Sequence, residues 1–314
     1  MNLPKNTAFT NVYLSWRPFV ILEGGLSKKM KTILRSPGGK EVPIGDNAPT
    51  VLIGERINPF GKGPVKEALL SGAMEPIREE ALKQVEAGAD ILNVSVNAFG
   101  IDEGVVLPRV IVGIMRAADV PLCLESRNPV ALEETLKLGC GKPIISSVTG
   151  EDRILDEILP LVKKYNTAVV ALASDASGIP KEPLKRLQVI KQIIDRTDKM
   201  NIPGEDLLVD CIAESSAVND QAAIVTLETM RIVKRELGVN LVLGASNVSF
   251  GLPNRTVINS VFLALAVQAG LTCAIVNAAK MKSYLMAADL LLGRDPWARR
   301  YVTYYRSLKS VSSH

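Results

Sequence analysis

The chain predicts a (β/α)8 barrel, and three observations carry that reading. Eight short apolar runs of strand length recur between residues 51 and 276, separated by stretches with helical periodicity. Apolar residues make up 47% of the 314, enough for one large buried core, while aromatics supply only 4%. The dominance of Ala, Val, Leu and Ile suits parallel strands covered by helices. Third, no GxGxxG turn follows the first run, and "GKGP" at 61–64 lacks the spacing of a phosphate loop. A doubly wound nucleotide-binding sheet would need one or the other.

The elements follow in order. A short β-like opening spans 31–42. Strands are then expected over 51–57, 90–95, 121–125, 143–146, 168–173, 206–210, 241–245 and 272–276. Between them, residues 76–87 place apolar side chains at 77, 81, 82 and 85, a helical period. Residues 152–164 do the same with Ile154, Leu155, Ile158, Leu159 and Val162. The pattern repeats over 184–200, 221–237 and 256–269, and Gly88 and Gly270 follow helices as stops. The basic tail with Arg294, Arg299, Arg300, Arg306 and Lys309 reads as a solvated terminal helix. The organisation expected is an N-terminal arm over 1–46 outside the barrel, with its first 30 residues peripheral to the fold, and one barrel with its helical tail over 47–314. The barrel proper occupies 48–292.

Composition excludes several chemistries. The single His is the last residue, His314. That removes Ser-His-Asp and Cys-His triads, a histidine general acid and histidine metal clusters. The four Cys (Cys123, Cys140, Cys211 and Cys273) show no CxxC spacing, so no protein-bound metal is expected. Dispersed cysteines fit a reducing, cytoplasmic setting. A net charge of +4 is not the field of a nucleic-acid binder. No apolar run approaches membrane-spanning length, and the first 30 residues lack a basic start and an Ala-x-Ala cleavage site. Neither a membrane partner nor a signal peptide is expected.

In a barrel the chemistry sits at the C-terminal strand ends. Those ends carry Glu55, Arg56 and Asn58; Asn93, Ser95 and Asn97; Glu125, Ser126 and Asn128; Ser146, Ser147 and Thr149; Ser174 and Asp175; Asp210; Ser246, Asn247 and Ser249; and Asn277. For Ser126, Ser147, Thr149 and Asp175 the bland reading, capping helices and closing loops, is favoured. Glu125, Asp210 and Asn247 directly end apolar strands, where a charge or amide costs free energy unless it meets a partner. Arg255 either caps the next helix or holds an anion. The pocket suits a planar heterocycle with donors and acceptors, because a carboxylate accepts two parallel N–H bonds.

"VLIGERINPFG" at 51–61, "SSVTGE" at 146–151 and "GASNVSFGLPNR" at 244–255 resemble the pterin-binding barrel family, and within it the methyltetrahydrofolate–corrinoid methyltransferases, including those of O-demethylation and other one-carbon systems. The likeness runs over about residues 30–295 with the motifs in order. The resemblance implies a dihydropteroate-synthase-like (β/α)8 barrel. It implies methyl transfer between N5 of methyltetrahydrofolate and the cobalt of a cobalamin carried by a separate corrinoid protein. The Asp-x-His-x-x-Gly cobalamin motif cannot exist in a chain whose only His is terminal. It implies Asn247 as the catalytic amide facing N5, with Ser246 and Ser249 orienting it. It implies a pterin held by Asp210 with Glu125, Ser146, Asn93, Asn247, Ser249 and Arg255. A homodimer is also implied. The chain departs from the family where Asn93, Ser95, Glu125, Ser146 and Cys211 stand in place of the usual Asp, Asn, Asp, Asn and Pro. Two alternatives stay open beside it: a dihydropteroate-synthase-like condensation, and a diverged folate-binding protein without turnover. Glu125 and Asp210 are expected to meet at the mouth, where like-charge repulsion would raise the pKa of one of them.

Overall fold

The computed structural model describes residues 30–60 and 63–311. It opens with an antiparallel hairpin, β1 (Thr32–Arg35) and β2 (Glu41–Ile44). Eight parallel strands then close into a barrel: β3 (Val51–Ile57), β4 (Ile91–Ser95), β5 (Leu122–Glu125), β6 (Ile144–Val148), β7 (Ala168–Leu172), β8 (Leu207–Asp210), β9 (Asn240–Gly244) and β10 (Cys273–Val276). Each pairs with the next, and β10 returns to β3. Every strand lies within two residues of the run expected for it.

Helices α1 (Pro64–Ser71), α2 (Glu75–Glu86), α3 (Glu103–Ala117), α4 (Pro129–Leu136), α5 (Asp152–Tyr165), α6 (Pro183–Lys199), α7 (Ala222–Leu237), α8 (Arg255–Gln268) and α9 (Ala278–Leu291) wrap the sheet, and α10 (Arg299–Val311) forms the tail. The side chains alternate along each strand, which builds two apolar layers. Leu92, Leu124, Val169, Val209 and Leu243 face outward into helix side chains such as Ile111, Ile158 and Ile190. Ile53, Ile91, Cys123, Ile144, Val170, Leu208, Val242 and Cys273 fill the barrel interior.

The hairpin lies outside the eight-stranded sheet but is packed beneath it. Leu34 and Ile44 are fully buried, and with Val42 they join the interior cluster. Asn240 Nδ2 donates to Thr32 Oγ1 at 3.0 Å and to the Ile44 carbonyl at 3.3 Å. This part of the expected arm lies outside the barrel sheet, as a floor beneath it. Residues 1–29, the remainder of that arm, lie outside the described residues. At the other seam, Asp289 of α9 accepts from Thr50 N at 2.9 Å and Thr50 Oγ1 at 2.7 Å, tying the last barrel helix to the start of β3.

Candidate active site

The same alternation selects what faces the mouth. On β3 the inward positions are 51, 53 and 55; on β4 they are 91, 93 and 95; on β5, 123 and 125; on β8, 208 and 210. Apolar side chains fill the lower positions, and Glu55, Asn93, Ser95, Glu125, Ser146 and Asp210 stand above them.

Asp210 is 8% exposed. Its Oδ1 accepts from the Ile212 N–H at 2.7 Å and its Oδ2 from the Gly244 N–H at 3.4 Å. Burial raises its pKa to about 6; the two N–H bonds and the charge of Arg186 oppose that rise. Asn247 follows on a short 3-10 turn, Ala245–Ser249, whose side chain is exposed. Gly244 makes room for it, since a Cβ there would stand 3.2 Å from Asn247 Nδ2. Asp210 and Asn247 line one cavity of about 390 Å3, together with Arg127, Thr149, Glu151, Leu172, Ser174, Asp175, Gly178, Ile179, Ile212 and Ala213.

Glu125 pairs elsewhere. Asn93 Nδ2 donates to Glu125 Oε2 at 2.6 Å. Asn93 and Cys123 are register partners, as are Ser95 and Glu125, so the longer glutamate reaches back along its strand to the amide. The two departures from the family pattern thus compensate: an amide against a carboxylate replaces two acids that would repel. Ser146 stands beside the Cys123 thiol, whose pKa burial pushes up. The expected meeting of Glu125 and Asp210 is not what the structure shows. Glu125 is absent from the groups that shift Asp210, and the raised pKa arises from burial rather than like charge.

Ser249 and Arg255 form the frame of the 245–249 turn. Arg255 Nε donates to Ser249 Oγ at 2.9 Å and Nη2 to the Ser246 carbonyl at 2.7 Å. Ser249 Oγ donates in turn to the Ser246 carbonyl at 3.3 Å. Neither serine bonds to the Asn247 side chain; Ser246 Oγ donates to Glu55 Oε1 at 3.0 Å. The expected orientation of the Asn247 amide by Ser246 and Ser249 is therefore not what the structure shows: the Ser249 hydroxyl braces the backbone of the turn, and the Ser246 hydroxyl is spent on Glu55. Arg255 also borders a second cavity of about 140 Å3 with Glu55, Arg56, Ser246, Thr256, Asn259, Asn277, Lys280 and Met281.

Three of the loop residues expected to cap helices or close loops make local bonds. Ser126 Oγ donates to Glu103 Oε2 at 2.6 Å, and Asp175 Oδ1 accepts from Ser177 N at 2.8 Å and Ser177 Oγ at 2.6 Å. Thr149 Oγ1 donates to Glu151 Oε1 at 3.1 Å, although Thr149 and Asp175 also wall the cavity.

Glu55 is the residue that sequence reasoning left without a role. Burial raises its pKa against the Ser246 bond and the charges of Arg56 and Arg255. The signal was present, because alternation from Val51 and Ile53 puts Glu55 on the inner face. A local bulge sets its height: β3 shifts register between Gly54 and Ile57, where Gln84 Oε1 accepts from Arg56 N at 2.9 Å. A Cβ on Gly54 would fall 2.5 Å from that oxygen. All four cysteines are buried, and among the described residues no group of three His, Cys, Asp or Glu is placed to hold a metal.

Known proteins share this architecture and sequence pattern. A methylcorrinoid:tetrahydrofolate methyltransferase of Eubacterium limosum is 30% identical over 82% of this chain and 97% of its own. A methionine synthase of Mycobacterium tuberculosis is 30% identical over 76% of this chain, which corresponds to 21% of that much longer protein. Among solved structures, a Yersinia pestis dihydropteroate synthase superposes with a TM-score of 0.63 at 14% identity, covering 83% of this chain and 99% of that one. A Xanthomonas albilineans dihydropteroate synthase gives 0.63 at 18% identity, over 83% and 98%. These two likenesses concern the fold. The model of the pterin binding enzyme family matches residues 54–277, from the first barrel strand to the end of the last, and the chain belongs to that family.

Proposed function

We propose that this protein transfers a methyl group between N5 of methyltetrahydrofolate and the cobalt of a corrinoid carried on a partner protein. The observation that carries the reading is the pairing of Asp210 and Asn247 on one cavity at the barrel mouth. A buried carboxylate accepts the paired N–H groups of an aminopyrimidine ring, and an amide on the wall of the same cavity stands to meet N5. The name of the Eubacterium limosum relative supports the same chemistry.

In the forward sense, Co(I) supplies the electron pair of the new cobalt–carbon bond. The N5–carbon bond breaks with its pair left on N5, which takes up one proton, giving tetrahydrofolate and methyl-Co(III). Charge builds on N5 as the bond breaks. A donor presented by the braced turn after β9 stabilises that change without a strong acid. Asn93, Glu125 and Ser146 complete the pterin-facing arc, while Ser249 and Arg255 hold the turn that presents Asn247.

The partner must cover the mouth to bring its cobalt to the methyl group. Phe60, Phe99, Val218 and Phe250, exposed on loops after β3, β4, β8 and β9, offer it apolar footing. Self-pairing belongs to the same reading. Val257, Val261 and Leu265 lie exposed at four-residue spacing on α8, and sedimentation will report the oligomer.

The direct test is calorimetric titration with methyltetrahydrofolate followed by single-turnover transfer to free Co(I) cobalamin. Binding with methyl transfer is expected. Binding without transfer would leave a folate-binding protein, and condensation of a pterin pyrophosphate with 4-aminobenzoate would move the enzyme to the dihydropteroate synthase reaction.

A further inference from the structure

Asp210 is held by a peptide unit that is itself held from behind. The unit joins Cys211 to Ile212. Its N–H donates to Asp210 Oδ1 at 2.7 Å, and its carbonyl, that of Cys211, accepts from Arg186 Nη1 at 2.7 Å. The C=O and N–H of a trans peptide point in opposite directions. The guanidinium and the carboxylate therefore sit at opposite edges of one peptide unit.

The next carbonyl is gripped as well. Ile212 O accepts from Arg186 Nη1 at 2.8 Å and from Thr226 Oγ1 at 2.9 Å. Ile212 has φ +62°, a left-handed conformation that β-branched residues rarely adopt and that persists only when the surroundings over-determine it. Arg186 sits in the first turn of α6 with its side chain fully buried. Its Nε donates to the Pro180 carbonyl at 2.8 Å and its Nη2 to Glu214 Oε2 at 2.7 Å. A buried guanidinium is costly unless every donor is met. Here two bonds of that guanidinium go to carbonyls of the segment that ends β8.

We propose that Arg186 is a positioning residue for the pterin-binding carboxylate: through the Cys211–Ile212 peptide it aims the N–H that orients Asp210. The inference rests on the assignment of Asp210 to the pterin. The bond pattern is a relay from cation to carbonyl, from the polarised N–H to the carboxylate, and hydrogen bonds aligned in this way strengthen one another. The positive charge one peptide away also favours the ionised carboxylate, the form that accepts two N–H groups of a ligand.

Other charged or titratable groups near Asp210 are accounted for. Cys211 is next in the chain, Arg127, Glu151 and Asp175 wall the same cavity, and Lys181 and Glu214 lie beyond Arg186. The neighbouring strand β9 contributes none. Of these groups, Arg186 is the one whose charge lowers the Asp210 pKa.

The test uses two variants, Arg186→Met and the double variant Arg186→Met/Glu214→Gln. The second leaves no half-paired carboxylate behind and so guards against simple misfolding. The Asp210 carboxyl is followed by 13C NMR in the ligand-free protein labelled at aspartate, and methyltetrahydrofolate affinity is measured from pH 6 to 8.5. The Asp210 midpoint is expected to move upward by about one unit, as for loss of an opposite charge at short range. Such a shift weakens folate binding about threefold at pH 6.5 and hardly at all at pH 8.5. A folded variant whose midpoint stays in place overturns the Arg186 relay and leaves the pterin assignment standing. Undiminished folate affinity in Asp210→Asn overturns the pterin assignment itself.

Discussion

Burial holds the Asp210 carboxyl at about 6, where a free aspartate titrates near 3.8. The fold therefore favours the protonated form. Its contribution to stability is complete below about pH 4 and is lost as pH rises through about 6. Two pKa units correspond to about 3 kcal/mol, an upper figure for one buried group. Ligand-free Asp210→Asn is expected to lack this acid-side gain, which paired melts of both proteins at pH 5.5 and 7.5 will display. The same substitution should weaken folate binding more than about tenfold, the cost of a lost charge-assisted pair. At Asn247 the balance differs, because its bond matters most as N5 gains electron density. Asn247→Ala is expected to slow single-turnover methyl transfer about ten- to a thousandfold with a far smaller change in folate affinity. A variant that melts early yet turns over normally per folded molecule would reduce Asn247 to a turn residue. Asp210 was legible because it ends an apolar run, where strand alternation decides which way it faces; Asn247 was legible as the amide that follows such a run, although a 3-10 turn rather than the strand presents it. Arg255 was legible only as two options, and the structure adds a third. Nothing in the spacing shows that its guanidinium turns back onto Ser246 and Ser249.

The 245–249 turn and the α4 start show how short elements place chemistry. Two Arg255 bonds and one Ser249 bond hold the turn, so Arg255→Ala frees the Asn247 backbone without touching the pterin carboxylate. Its rate of methyl transfer is expected to fall several-fold while folate affinity stays within about threefold, as rate measurements beside equilibrium titrations will show. Asn128 caps α4, its Oδ1 accepting from Val130 N at 3.0 Å and Ala131 N at 3.2 Å. Asn128→Ala should cost about 1 kcal/mol of stability and leave turnover unchanged, readable from denaturant melts. Helices with clear apolar spacing, such as α5 and α7, could be read directly. Others resist reading: α3 carries Pro108 inside its apolar pattern, α4 has eight residues, and α9 exposes Tyr284 and Leu291 on the side away from the core. In each case packing against the neighbouring helices, rather than local propensity, settles the conformation.

At the scale of the molecule, eight strands could be counted because parallel strands buried on both faces are near-continuous apolar runs. The hairpin beneath them could not be placed. A β-like opening before the first strand has the same pattern whether it lies beside a barrel or under it, so the boundary at 46 follows from sequence while the packing does not. Leu34→Ala tests the difference. A floor residue with no exposure should cost about 2–5 kcal/mol in chemical denaturation, against under about 0.5 for a peripheral strip.

That floor has a consequence for traffic. A barrel shut at its lower end by Leu34, Val42 and Ile44 admits ligand only through the rim bearing Phe60, Phe99, Val218 and Phe250, the rim a methyl acceptor has to occupy. Folate and acceptor thus share a single doorway, with the smaller guest lodged inside and the larger one standing in front. An abundant corrinoid partner should therefore lock the folate in, and stopped-flow exchange of bound methyltetrahydrofolate should slow as the partner concentration is raised.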